Sequence, residues 1–228
     1  MRRRLLLCGA FAPLVLVSSA ASAVEVSGNL NFVSDYRYRG LSLSDGRPAV
    51  QGSLDLDLGR GIYGGLWASS IRTDGKLAGE FDMTIGDALE LVPGIGIDVS
   101  ATYYTYPLRF TDSYGEATAA LSMAAGPVTG SLGVSIAPAQ RAMRDDRGHA
   151  HGNAYYYSGV EVEAPKLPFK LKAQLGYERG FFDESQHGGK WDWSFGLEAN
   201  RKLGGFGFCY SRSNVGRGAW VGTAALKF

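Results

Sequence analysis

"GAWVGTAALKF" occupies residues 218–228 and ends the sequence. Read in steps of two, it puts Phe228, Leu226, Ala224, Gly222 and Trp220 on one side. Lys227, Ala225, Thr223 and Val221 fall on the other. A period of two marks a β-strand whose two faces meet different surroundings. Here one face is apolar and aromatic-ended, and the other is mixed. Termini of water-soluble domains commonly fray, and a large ring exposed there gains nothing. A strand of this kind makes sense if its apolar face meets lipid and its backbone is used to close a sheet on itself.

The same rhythm runs through the chain. "VEVSGNLNFVSDYR" (24–37) sets Val24, Val26, Gly28, Leu30 and Phe32 against Glu25, Ser27, Asn29 and Asn31. "VQGSLDLDL" (50–58) sets Val50, Leu54, Leu56 and Leu58 against Gln51, Ser53, Asp55 and Asp57. "EFDMTIG" (80–86) and "IGIDVSATYYTY" (95–106) continue the pattern, with Asp82, Asp98 and Tyr104 in the polar phase. So do "YYYSGVEVE" (155–163), "FKLKAQLGYE" (169–178) and "WDWSFGLEAN" (191–200). "IYGGLWASSI" (62–71) carries large residues in both phases and does not declare its facing.

About twelve such segments of about ten residues are present, the length that crosses a bilayer at a tilt. Short connections are expected at 59–61, 93–94, 125–127, 165–168 and 202–205. Longer polar ones are expected at 38–47, 73–79, 107–113, 139–152, 181–190 and 214–217. This alternation predicts an all-β fold, an up-and-down antiparallel transmembrane β-barrel of about twelve strands. An unpaired backbone group in hydrocarbon costs several kcal/mol, so the first and last strands are expected to pair.

The opening stretch, "MRRRLLLCGAFAPLVLVSSAASA", runs from arginines through an apolar segment to an A-x-A end. That is the order of a secretory signal peptide over residues 1–23, leaving 24–228 as the barrel. Export through the periplasm to the outer membrane of a Gram-negative bacterium is the expected route. Loss of Arg2, Arg3 and Arg4 takes the formal net charge from +1 to −2. A nucleic-acid binder needs a basic field, and none is present. With one cysteine, Cys209, beyond the leader, disulfide stapling is not expected to carry the fold. Glycine is frequent, 32 of 228 residues, and is scattered through the apolar segments rather than gathered in linkers.

Several blocks resemble the TorF-type porin family of proteobacteria: "SDYRYRGLSLSDGRPAVQGSLDL" (34–56), "IYGGLWASS" (62–70), "ATYYTYP" (101–107) and "WDWSFGLE" (191–198). The resemblance covers essentially all of residues 24–228. It implies an outer-membrane barrel with a porin-like role and supplies no catalytic residues. The terminal Phe228 resembles the assembly signal of outer-membrane barrels, which implies handling by the barrel-assembly machinery.

The expected pore lining consists of inward-phase groups: Asp35, Arg37, Asp55, Asp57, Asp82, Asp98, Tyr104, Glu161, Glu163, Lys170, Lys172, Glu178, Asp192 and Glu198. The acidic excess suggests mild cation selectivity; the alternative is that the charges pair and fill the interior. In "SDYRYRG", the charges either steer solutes at the mouth or tie a loop to the rim, and the second carries more weight. "RDDRGHAHG" (144–152) offers Asp145, Asp146, His149 and His151, but without the ordered spacing of a metal site. Neither metal nor cofactor is expected. His149, His151 and His187 all fall in predicted loops, and no G-x-S-x-G stretch is present, so no enzyme is expected.

The leading functional expectation is passive diffusion of small polar solutes or ions. Its rival is a non-conducting barrel that is structural or binds partners at its outer loops; a soluble periplasmic β protein ranks third. Expected partners are outer-membrane lipid, the assembly machinery and small polar solutes. No interface patch announces an oligomeric state.

Overall fold

The computed structural model describes residues 24–107, 112–163, 168–184 and 188–228. The expected leader (1–23), His187 and most of the expected turn at 165–168 lie outside the described residues. Twelve long strands form one closed antiparallel barrel, and two short strands form a separate hairpin. The strands are β1 (Glu25–Val33), β2 (Arg37–Tyr38), β3 (Leu41–Ser42), β4 (Ala49–Gly59), β5 (Ile62–Thr73), β6 (Lys76–Val92) and β7 (Ile95–Thr105). They continue with β8 (Tyr114–Ala125), β9 (Val128–Ala137), β10 (Asn153–Glu163), β11 (Lys170–Gly180), β12 (Lys190–Arg201), β13 (Gly204–Ser213) and β14 (Ala219–Lys227). β2 and β3 make the separate hairpin; the other strands follow chain order around the ring, and β14 returns to β1.

β1 and β14 meet at the seam that closes the ring. Asn29 to Val33 of β1 pair with Lys227 to Thr223 of β14. Beyond that register, the Gly28 and Phe228 backbones exchange two hydrogen bonds of 2.9 and 3.1 Å. The Phe228 ring lies across Gly28: a Cβ built there would sit 2.5 Å from Phe228 Cε2. Gly28→Val is therefore expected to crowd the closure and to cost about 1–3 kcal/mol. Denaturant titration of the refolded barrel measures it, with Leu30→Val on the same face as the control. A Gly28 variant as stable as the control would contradict this packing.

Apolar-phase side chains point outward and are exposed, among them Leu54, Val99, Leu132, Leu175 and Leu197. This is the inside-out arrangement of a barrel in lipid. An aromatic cluster sits on the outer face of β12–β14. Trp220 stacks on Phe208 at 4.9 Å and meets Phe195 and Tyr210 edge-on at 5.7 and 5.3 Å. Amphipathic rings of this kind are favoured at membrane interfaces.

The structure corrects two expectations. Residues 73–79 are not a loop. β5 and β6 continue as one hairpin to a two-residue turn, with Asp74 and Gly75 at φ +53° and +73°. Positive φ at both central residues marks the tight turn that matches strand twist. β6 pairs with β7 only from Phe81 onward, so the hairpin tip stands above its neighbours. The second correction concerns Asp35 and Arg37. β1 ends at Val33, and these residues belong to the following loop rather than the wall.

The undeclared facing of β5 is also explained. Tyr63, Trp67 and Ile71 point inward, where Trp67 and Ile71 join a buried apolar cluster with Val33, Tyr36, Ala49 and Val221. Tyr36 comes from the loop after β1, and its ring packs 5.3 Å from that of Trp67. The inner face of β5 is apolar because a loop folds against it.

Candidate functional site

That loop, residues 34–48, turns into the barrel. Ser34 fixes its start at the seam: its backbone N–H donates to Gly222 O, and its Oγ accepts from Gly222 N, both at 2.9 Å. The Asp35 carboxylate, buried, accepts from Arg37 at 2.8 Å, Ser42 Oγ at 2.5 Å and Ser44 Oγ at 3.1 Å. Arg37 also donates to Gly40 O at 2.7 Å and to the Arg217 carbonyl, which joins the loop to the β13–β14 connection. The predicted charge cluster is therefore a network that ties a loop together.

The β2–β3 hairpin is the tip of the loop. Tyr38 pairs with Leu41 across a two-residue turn at Arg39 and Gly40, φ +46° and +79°. A Cβ at Gly40 would lie 2.7 Å from Arg212 O, so the turn fits only against this wall as glycine. Arg39 reaches across the bore. Its guanidinium donates to Glu178 Oε1 on β11 and to Glu116 Oε1 on β8, each at 2.6 Å. It also lies over the rings of Tyr155 and Tyr38, at 4.2 and 4.7 Å. Glu178 further receives Lys190 and Asn153. One charged crossbar thus links the seam to the opposite wall.

Above it, at the long-loop end, aromatic rings close ranks. Tyr104 stacks on Tyr114 at 4.7 Å, Tyr114 meets Phe182 at 4.8 Å, and Met143 of the β9–β10 loop is fully buried among them. A cavity of about 740 Å³ opens there, lined by Tyr38, Leu43, Ala78, Tyr106, Phe181 and Lys190 among others.

Below the crossbar the lumen is polar. Tyr63 donates to Asp98 Oδ2 at 3.0 Å, and Tyr155 donates to Asp192 Oδ1 at 3.1 Å. Gly133 lets the Tyr157 ring lie on the wall, since a Cβ there would sit 2.2 Å from Tyr157 Cζ. At the short-turn end a ladder of charge crosses β10, β11 and β12. Lys170 pairs with Glu161 and with Glu163 (2.8 Å), and Lys172 pairs with Glu161 (3.6 Å) and Glu198. Lys227 donates to Asn200 Oδ1 at 2.6 Å, which brings the final strand into the same network. On the adjoining wall, Asn29 donates to Ser53 Oγ, and Ser53 donates to Asp55 at 3.1 Å.

The sequence-predicted residues thus fall into groups. Asp35 and Arg37 stand in the inserted loop. Tyr104, Glu178 and Asp192 lie at or beside the crossbar, and Asp82 lies on the inner face of β6. Asp98 lies deeper, and Asp55, Asp57, Glu161, Glu163, Lys170, Lys172 and Glu198 line the short-turn end. Sequence reasoning placed Arg39 in the "SDYRYRG" charge cluster but not in the pore lining, and it missed Glu116 and Lys190 as members of the site. In the outer loop at 144–152, Asp145 accepts from the backbone of Arg147 and His149 and bonds the His151 ring at 3.0 Å. The His151 contact and those N–H groups hold its carboxyl below the usual carboxylate range. The carboxylate serves the turn of its own loop.

A closed barrel with an apolar outer face and a polar bore crossed by an inserted loop is the architecture of an outer-membrane-type β-barrel. Residues 17–227 match the family described as "Bacterial protein of unknown function (Gcw_chp)", and the chain belongs to that family. Among solved structures, the KdgM porin is similar at TM-score 0.62 and 6% identity, covering 89% of this chain and 98% of that one. The NanC porin gives 0.58 at 10% identity, with 89% and 98% covered. An outer membrane channel from Pseudomonas putida F1 gives 0.57 at 8% identity, with 92% and 97% covered. These likenesses are of fold. No curated protein sequence matches the chain.

Proposed function

We propose that the protein is an outer-membrane channel for passive diffusion of small polar solutes or ions, with the β2–β3 hairpin as its constriction. The observation that carries this reading is the ion-paired crossbar through a polar bore. A barrel that needed only to be filled could use packed apolar side chains. Buried ion pairs are often no more stable than that and carry a desolvation cost of several kcal/mol per ion. A polar, charged interior fits a wetted path better than a solid core.

The charge balance supports a preference for cations. Lys170 and Lys172 are matched by Glu161, Glu163 and Glu198, while Arg39 and Lys190 are matched by Glu116 and Glu178. Asp98 and Asp192 form no ion pair among the described residues. The TorF-type resemblance and the likeness to porin folds agree with a channel role.

The test is conductance of the refolded barrel in planar bilayers. Wild type is expected to give small, discrete steps whose reversal potential in a KCl gradient favours potassium. A variant with residues 37–42 replaced by two glycines is expected to give larger steps. Absence of conductance from both proteins would overturn the proposal in favour of a sealed barrel that works through its outer loops.

A further inference from the structure

β6 turns two carboxylates inward, two residues apart. Glu80 and Asp82 are 3% and 8% exposed. Ser69 and Trp67 of β5 lie opposite them in register, and Tyr104 of β7 flanks Asp82 on its other side. Tyr106 donates its hydroxyl to Glu80 Oε1 at 3.1 Å. Glu80 Oε2 and Asp82 Oδ1 are buried without a hydrogen-bond partner, and the Tyr36 phenol also lies against Glu80. Neither carboxylate forms an ion pair among the described residues: the buried cations nearby are committed elsewhere, and Arg72 and Lys76, which line the adjoining cavity, pair with neither of them. Arg37 goes to Asp35, Arg39 to Glu116 and Glu178, and Lys190 to Glu178. Two like charges side by side, out of water and without a counter-charge, repel and are poorly solvated. The wall as it stands does not balance them.

We propose that Glu80 and Asp82 hold a hard divalent cation of the calcium type. The donors here are all oxygen: two carboxylates with free, buried atoms, and the phenol of Tyr106. Nitrogen and sulfur ligands are not among them, which disfavours zinc or copper. Two negative charges match a divalent ion. Calcium accepts an irregular set of oxygens, whereas magnesium demands near-ideal octahedral geometry and gives up its water reluctantly. A route of entry is at hand. Ala78 and Gly79, which immediately precede Glu80, line the 740 Å³ cavity at the long-loop end, and so does Tyr106. The site goes beyond the channel proposal, since it binds its ion whether or not the barrel conducts.

Trp67 makes the site observable, because it stands directly opposite Asp82. The full mature chain, refolded in detergent, is titrated with terbium(III) as a calcium stand-in, with excitation of tryptophan. Saturable sensitised emission is expected, and added calcium chloride displaces it. Asp82→Asn and Glu80→Gln are each expected to weaken terbium binding by about tenfold or more, since each removes a charged ligand. Heat-modifiable gel migration confirms that each variant is folded. Emission that is absent in wild type, or unchanged in a folded variant, overturns the proposal. Should one variant not fold, the other is decisive together with the wild-type thermal midpoint, which is expected to rise in calcium and not in magnesium. No rise in calcium also overturns it.

Discussion

Replacing Glu178 by glutamine is expected to destabilise the barrel by about 3–5 kcal/mol, the usual cost of breaking a buried pair from one side. Glu178 is 1% exposed and receives Arg39, Lys190 and Asn153. The neutral amide keeps the shape of the side chain but removes the charge that balances two cations. Arg39 retains Glu116; Lys190 has no second ion-pair partner among the described residues. The consequence reaches function, because Arg39 sits at the tip of the inserted hairpin. Loosened from β11, the tip is expected to fluctuate, and single-channel records to become noisier with brief, larger openings. Denaturant titration in lipid vesicles measures the stability change, and bilayer recordings measure the opening. A loss below about 1 kcal/mol would place this node in water, where such pairs contribute little.

The second large effect lies on the other face of the same strand. Leu175 points to lipid, 47% exposed, between Ser158 of β10 and Trp193 of β12. Leu175→Arg is expected to cost about 2–4 kcal/mol if the position lies near mid-bilayer. Its neighbour Gln174 faces the lumen and donates to Tyr155 Oη at 2.8 Å. Gln174→Arg gives up that bond but keeps its charge in the polar bore, so it is expected to fold and to shift ion preference toward anions. The heat-modifiable band and a urea titration distinguish the two. Equal loss in both variants would refute the assigned facing of β11.

The barrel wall was legible because a strand between lipid and a polar bore must alternate. Over Lys170–Glu178 the alternation separates Lys170, Lys172, Gln174 and Glu178 from Leu171, Ala173, Leu175 and Tyr177. The closure was legible for a similar reason: lipid tolerates no open edge. The inserted loop was not. Asp35 and Arg37 continue the alternation of β1, in phase with Asn29 and Asn31, so the pattern alone cannot show that the chain leaves the wall at Ser34. The turn at Arg39–Gly40 lacks the Asn-Gly or Asp-Gly pair that marks a two-residue hairpin, so the sequence does not announce it. The Asp74–Gly75 pair does carry that signal, hidden in a stretch read as a loop. Glu116 and Lys190 were missed because they stand at strand ends, where an inward phase has too few neighbours to be recognised.

The seam has a kinetic meaning. Apart from β1 with β4, which pair across the 34–48 loop, every other pairing in the ring joins strands adjacent in sequence, so those hairpins can form locally and early. Pairing β1 with β14 must instead close a loop that runs from Val33 to Ala219, which pays its entropy last. The same seam is bridged from within by Ser34 and Arg37. Insertion of the hairpin and locking of the ring are thus expected to be coupled, and a barrel that has not swallowed its first loop is expected to unzip more readily.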